Sequence, residues 1–235
     1  MSELIYSKPI TAVIFDNDGT LMDTEWIYSE MHQVFTGQPM TPELKGKLLG
    51  CTPWDIARIT IEHCHLNETV SEFREKMHEY LDCRWPHVKM LPGATDVIQG
   101  FWDRKVRMSI ATSTAREEFT LKSSNHQDIM NMIDYSVTGS DVSQGKPSPE
   151  IFLKTLHMWN GAKPENTLVF EDSPKGIKAA NLAGMPSVFI PNKLLNPELS
   201  LKLADANATQ ILSSLTQFNW KQWDIQPSPS YFYNK

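Results

Sequence analysis

The stretch Thr11-Ala-Val-Ile-Phe-Asp16-Asn-Asp18-Gly-Thr20-Leu-Met-Asp23-Thr24 constrains the fold more than any other part of the chain. Residues suited to a buried, extended strand run straight into two carboxylates one residue apart. Gly19 and Thr20 then turn the chain, and a polar helix start comes next. An apolar run closed by glycine and flanked by helical patterns suits a central parallel strand. The carboxyl end of such a strand is where open α/β sheets hold their ligands. Residues i and i+2 of a strand share one side, so Asp16 and Asp18 converge if the extended conformation persists that far. Two unpaired carboxylates there repel unless a cation or a substrate proton lies between them, and the pattern asks for Mg²⁺. The plainer alternative is a solvated strand-to-helix turn built from Asp and Gly.

The residues downstream decide between the two. From Glu25 to Phe35 the apolar positions Trp26, Tyr28, Met31, Val34 and Phe35 have helical spacing. Thr41-Pro42-Glu43 and Thr52-Pro53-Trp54-Asp55 each read as an N-cap followed by proline at the first helical position. Thr69-Val-Ser-Glu72 fits a capping box opening a helix to about Arg84. Residues 24–88 therefore read as a helical block without strand signals, inserted between the first strand and its partner. From Leu91 onward helices and strands alternate. Strands are expected at 106–112, 135–138, 167–170 and 187–190, with helices at 94–103, after Thr114-Ala-Arg-Glu117, from Ser148-Pro149-Glu150 to about Trp159, and from Ser173-Pro174 to Gly184. Repeated βα units with short loops imply a parallel sheet covered on both faces. The aromatic tail, Phe218 to Trp223, reads as a terminal segment packed on the core that frays beyond Gln226.

With 235 residues, 40% of them hydrophobic, the chain is long enough for one large domain or for a core domain with an insert. A net charge of −6 without a Lys/Arg run gives no footprint for nucleic acid or an anionic membrane. No apolar run approaches the roughly 18 residues of a membrane span. The opening residues lack the apolar segment of a signal peptide, so a cytoplasmic monomer is expected. Cys51, Cys64 and Cys83 lack ligand spacing and read as reduced thiols. His63-Cys64-His65 invites a metal reading, but consecutive helical residues point apart.

Parallel strands share a direction, so Asp16/Asp18, Thr112/Ser113, the Lys146 loop and Glu171/Asp172 all fall on one edge of the sheet. Taken singly, each has a bland explanation as a cap, a solvated lysine or a polar turn. Taken together, carboxylates for an oxygen-liganded Mg²⁺, a lysine and hydroxyls beside a helix N-terminus are what phosphoryl transfer requires.

Asp16-Asn-Asp18-Gly-Thr20-Leu, Ala111-Thr112-Ser113, Gly145-Lys146-Pro147 and Phe170-Glu171-Asp172-Ser173 resemble the four ordered motifs of the haloacid dehalogenase-like hydrolases. The resemblance implies a Rossmann-like parallel sheet of order 5-4-1-2-3, formed by residues 1–23 and 89–235, with residues 24–88 as an all-helical cap. It implies Asp16 as nucleophile forming a phosphoaspartate, Asp18 as general acid and base starting protonated, Thr112 and Ser113 as phosphoryl holders, and Lys146 as charge stabiliser. Mg²⁺ would be held by Asp16, Asp172 and the Asp18 carbonyl, supported by Glu171. Asn17 departs from the family pattern, which favours an apolar residue there, and is expected to cost packing rather than chemistry.

Asp18 argues against a true dehalogenase, because a halide leaving group needs no acid. The related sugar phosphomutases carry a hinge histidine and a Gly-x-Ser-Arg segment, where this chain has Tyr28 and Gly50-Cys51-Thr52-Pro53. Neither Tyr28 nor Pro53 serves as proton relay or second-phosphate clamp, so a hydrolase is read. Leu21 to Ser29, Lys122-x-Ser124-x-His126 and the stretch from Phe170 to Pro191 look most like the pseudouridine 5′-phosphatase group. The expected substrate is a small nucleoside, sugar or polyol phosphate ester. A phosphomutase and a non-catalytic phosphate-binding protein remain the alternatives. Trp26, Tyr28 and Trp54 are candidates for a leaving-group pocket, with packing inside the helical block as their plainer role.

Overall fold

The computed structural model describes residues 4–48, 51–191 and 207–229; Gly50 lies outside them. In chain order, β1 (Tyr6–Ile10) and β2 (Ala12–Phe15) lead to β3 (Met22–Asp23) and four helices, α1 (Glu25–Thr36), α2 (Pro42–Leu48), α3 (Pro53–Cys64) and α4 (Val70–Asp82). A 3-10 turn at Trp85–His87 and β4 (Lys89–Met90) return the chain to α5 (Ala94–Asp103), β5 (Arg107–Ala111), α6 (Arg116–Ser123), α7 (Gln127–Met130) and β6 (Tyr135–Val137). Then come α8 (Glu150–His157), β7 (Thr167–Glu171), α9 (Pro174–Leu182), β8 (Ser187–Phe189), β9 (Gln210–Ile211) and β10 (Trp223–Ile225).

The main sheet runs β6-β5-β2-β7-β8-β9, parallel throughout. Its first five members are the strands read from the sequence, in the order implied by the resemblance; the two-residue β9 extends the edge. Strand β2 is wholly buried because it is covered on both faces, which is why its sequence shows no alternation. Val13 and Phe15 face one cluster with Ile98, Phe101 and Phe170, and Ala12 and Ile14 face another with Phe152, Leu156 and Ala180. The first cluster continues through Leu21 and Met22 into Ile27, Met31, Phe73 and Trp85 of the helical block.

Local signals explain the helix starts. Thr52 accepts from the Asp55 amide, and Thr69 and Glu72 form a reciprocal capping box. Helix α9 starts on Ser173 and is followed by Gly184 at φ +75°. Expected and observed structure part at Thr114: it does not cap α6, which starts after Ala115 with no side-chain cap, because its hydroxyl is used elsewhere. The aromatic tail does pack on the sheet, with Phe218 5.2 Å from Phe170 and Trp220 4.8 Å from Phe101 between ring centres. It also forms β10, paired in parallel with β1, which local patterning did not signal. Pro9 is tolerated in β1 because that strand lies outside the main sheet.

Strands β3 and β4 pair antiparallel, Met22 with Met90 and Asp23 with Lys89. The chain thus leaves for the helices and returns from them side by side. Among the described residues no helix is long and apolar enough to cross a membrane. Cys51, Cys64 and Cys83 are free thiols, His63 and His65 are exposed, and His65 ends α3 at φ +53°.

Candidate active site

Register brings the expected residues to one edge. Phe15 is level with Ile110 on one side and Phe170 on the other, so Asp16 follows beside Ala111 and Glu171. The Asp16 amide extends the ladder to the Phe170 carbonyl at 2.9 Å. Lys146 reaches in from the loop before α8, donating to Asp16 Oδ1 and Glu171 Oε1 at 2.6 Å each and to the Ala111 carbonyl at 3.0 Å. The other oxygen of Glu171 accepts from the amide and hydroxyl of Ser173 at 2.8 and 2.9 Å. Glycine is required twice here: a Cβ on Gly176 would lie 1.8 Å from Glu171 Oε1, and one on Gly19, at φ +83°, 2.2 Å from Asp172 Oδ2. Asp16, Glu171 and Asp172 are buried and offer ligand oxygens all within 4.8 Å of one another, the only such group among the described residues.

The carboxylate of Asp18 does not join them. Strand β2 ends at Phe15 and the chain turns through Gly19, so the i, i+2 alternation lapses before Asp18. Its Oδ1 instead meets Lys122 Nζ at 2.5 Å, and its Oδ2 accepts from Thr114 Oγ1 at 2.8 Å and Thr112 Oγ1 at 3.2 Å. Thr112 is buried, while Ser113 lies exposed at the same strand end. Lys122 also pairs with Glu118 at 2.5 Å. Sequence reasoning did not assign Lys122, Thr114 or Glu118 to the site: a Glu and Lys one helical turn apart read as an ordinary surface pair. The signal available was that an expected lone acid needs a buried partner. Asn17 is fully buried; its Oδ1 has no hydrogen-bond partner among the described residues, while its Nδ2 donates to Asp18 Oδ2 at 3.4 Å.

Charge separates the two carboxylate groups. Burial pushes Asp16 up to about 7; Lys146 opposes this, while Glu171 and Asp18 add to it. Burial, then Glu171 and Asp16, push Asp172 well above the usual carboxylate range. Burial also pushes Asp18 up, but the Lys122 ammonium, the Thr114 hydroxyl and the Asn17 amide outweigh that and hold it below its ordinary value. This direction favours the carboxylate form of Asp18, whereas a group that starts protonated is expected to be shifted upward. Three carboxylates against one ammonium would leave surplus negative charge in a buried place if all were ionised, and the upward shifts of Asp16 and Asp172 are the response.

Of the three aromatic candidates, Tyr28 feels the charge of Asp18. It sits edge-on to Trp85 at 5.4 Å, and burial followed by the carboxylates of Glu118, Asp18 and Glu25 raises its phenol well above the ordinary value. Tyr28 also lines a cavity of about 180 Å³ in the helical block, together with Glu25, His32, Phe73 and Lys45, which is ion-paired to Glu25. Trp26 borders a separate cleft of about 420 Å³ with Gly19, Thr20 and Leu91. Trp54 is exposed beneath Arg74, 5.2 Å from its ring centre.

Residues 13–190 match the family described as haloacid dehalogenase-like hydrolase. The chain is 31% identical over 225 residues to the "Probable pseudouridine-5'-phosphatase" of Drosophila melanogaster, covering 93% of this chain and 95% of that protein. It is 32% identical over 227 residues to (DL)-glycerol-3-phosphatase 2 of Arabidopsis thaliana, covering 93% and 92%. In fold it is similar to the crystal structure of a HAD family hydrolase from Deinococcus radiodurans R1 with bound phosphate and sodium, with a TM-score of 0.74 at 20% identity over 90% of this chain and 94% of that one.

Proposed function

The chain belongs to the haloacid dehalogenase-like hydrolases, and on that premise we propose that it is a Mg²⁺-dependent phosphatase of small phosphate monoesters. The observation that carries this reading is the buried meeting of Asp16, Glu171 and Asp172 around one ammonium group. Buried carboxylate oxygens crowded with too little positive charge form a donor set suited to a hard divalent cation. Asp16, Asp172 and the Asp18 carbonyl would hold Mg²⁺, with Glu171 supporting the shell. When bound, the ion neutralises phosphoryl oxygens and the surplus charge of the site.

The residues of the chain divide the reaction between them. A carboxylate oxygen of Asp16 attacks phosphorus; the new oxygen–phosphorus bond forms as the bond to the leaving oxygen breaks, giving a phosphoaspartate. Lys146, 2.6 Å from Asp16 Oδ1, orients the nucleophile and offsets charge gained by the phosphoryl group. Thr112 and the Ser113 amide hold phosphoryl oxygens. Asp18 protonates the leaving oxygen, then removes a proton from the water that breaks the phosphoaspartate. As a carboxylate, Asp18 has the form the second step needs. For the first step, a phosphate dianion arriving beside it adds negative charge that favours proton uptake.

Residues 24–88 act as the cap in this reading, over a core of residues 1–23 and 89–235. The side-by-side crossing at β3 and β4 supports that division. The Tyr28 cavity, with the Glu25–Lys45 pair inside it, suits a hydroxylated leaving group such as a polyol, sugar or nucleoside. Tyr28 and Pro53 favour a hydrolase over a mutase, and a net charge of −6 favours a free small molecule over nucleic acid. The test is phosphate release from p-nitrophenyl phosphate with Mg²⁺. Wild type is expected to turn over and Asp16→Asn to lose at least about 10³-fold; equal activity of the two would sink the reading. A panel of phosphorylated nucleosides, polyols, sugars and flavins then identifies the leaving group.

A further inference from the structure

We propose that Lys122 is the positioning residue of Asp18, and that it ties this carboxylate to the segment by which the helical block returns to the sheet. The inference rests on the phosphatase reading above, in which Asp18 moves the protons. Lys122 is 1% exposed, and a buried ammonium persists only where its charge is met. It is met from three directions: Asp18 Oδ1 at 2.5 Å, Glu118 Oε1 at 2.5 Å, and the face of Trp85, whose ring centre is 4.1 Å away. Lys146, not Lys122, contacts Asp16 and Glu171; Lys122 reaches the reacting atoms through Asp18 and, by a longer 3.5 Å contact, through Thr114, which itself donates to Asp18.

The return segment is held from the same side. One helical turn past Lys122, Asn125 Nδ2 donates to the Pro86 carbonyl at 2.6 Å and His126 Nε2 to the Val88 carbonyl at 2.7 Å. Glu118 and Lys122 lie one turn apart on α6, and Asn125 and His126 lie in the turn that follows its end at Ser123. Lys89–Met90 comes directly after Val88 and pairs with Met22–Asp23, and Met22 is bridged to Asp18. The contacts close a ring: Asp18 to Lys122, Lys122 to Trp85, along Trp85–Met90, across to Met22 and back to Asp18. A shift of the helical block's return segment therefore reaches Asp18 from two sides.

The experiment compares kcat/KM for p-nitrophenyl phosphate, phenyl phosphate and glycerol 3-phosphate, whose leaving groups need increasing help from an acid. Lys122→Met is expected to lose about 10²-fold on the poorest leaving group. Its losses on p-nitrophenyl phosphate and its changes in KM should stay within about threefold, and Lys122→Arg should recover part of the difference. Thr114→Val, which removes the 2.8 Å hydrogen bond to Asp18, should show the same selectivity on a smaller scale and carries the test if Lys122→Met does not fold. Asn125→Ala should shift the ratio between esters in the same direction. Equal losses on all esters, or none on any, overturn the positioning role; an unchanged ratio in Asn125→Ala overturns the tie to the return segment. Asp16→Asn run alongside separates the failures, since turnover by that variant would count against the phosphatase reading and not against Lys122 specifically.

Discussion

The side chains of Lys146 and Lys122 are both buried and each bridges two carboxylates, yet the balance of charge around them differs. Around Lys146 the carboxylates outnumber the ammonium three to one, and both Asp16 and Asp172 are pushed up. Around Lys122 there are two, Asp18 and Glu118. Asp18 is pulled down, while burial raises Glu118 despite the lysine. The first arrangement is short of positive charge and suits an added cation. The second holds its acid/base group in place with protein groups alone. In the proposed mechanism, one lysine serves the phosphoryl group and the other serves the proton.

Lys146→Met gives the largest contrast. It strips the nucleophile of its charge partner, so activity should fall by about 10²–10³-fold on every ester alike, unlike the leaving-group-selective loss at Lys122. A selective loss at Lys146 would erase the distinction. Asp172→Asn sharpens it from the charge side. Removing one crowded carboxylate should raise the melting temperature of the metal-free protein by about 2–4 °C, for a gain near 1 kcal/mol. Added Mg²⁺ should stabilise the wild type and not the variant; a metal-free variant less stable than wild type would show that the crowding carries no cost. The smallest effect belongs to Asn17, between the two centres. Asn17→Leu removes a buried oxygen without a partner but also the 3.4 Å hydrogen bond from Nδ2 to Asp18, so stability should change by no more than about 1 kcal/mol and the ratio of activities between esters should shift less than in Thr114→Val. Thermal melts and the same ester series check both parts.

Much of this architecture is legible in the sequence, for physical reasons that also explain the failures. Strand β2 announces itself because a segment buried on both faces must be apolar throughout. Parallel direction then forces Asp16, Thr112, Lys146, Glu171 and Asp172 onto one edge. Asp18 departs from expectation in two respects: strand alternation does not extend past Phe15 into the turn, and its protonation depends on a partner the sequence does not reveal. Lys122 is hidden because a lysine in the last turn of a helix, four residues after a glutamate, has the same pattern whether it faces water or a buried acid. Thr114 looks like a cap because the capping pattern does not say which group claims the hydroxyl first. The β1–β10 pairing joins the two ends of the chain, and no local period encodes a partner more than 200 residues away.

The two-residue pairing at Met22–Asp23 and Lys89–Met90 has an engineering consequence. Because the outgoing and incoming backbones are already hydrogen-bonded neighbours, whatever is spliced between them needs only to start and finish at adjacent points. Closure entropy grows slowly with the length of such an excursion. On the proposed reading of residues 24–88 as a cap, helical segments of different size would be exchangeable at this neck, provided the replacement keeps Trp85 and the return through Pro86 and Val88 that Lys122, Asn125 and His126 hold.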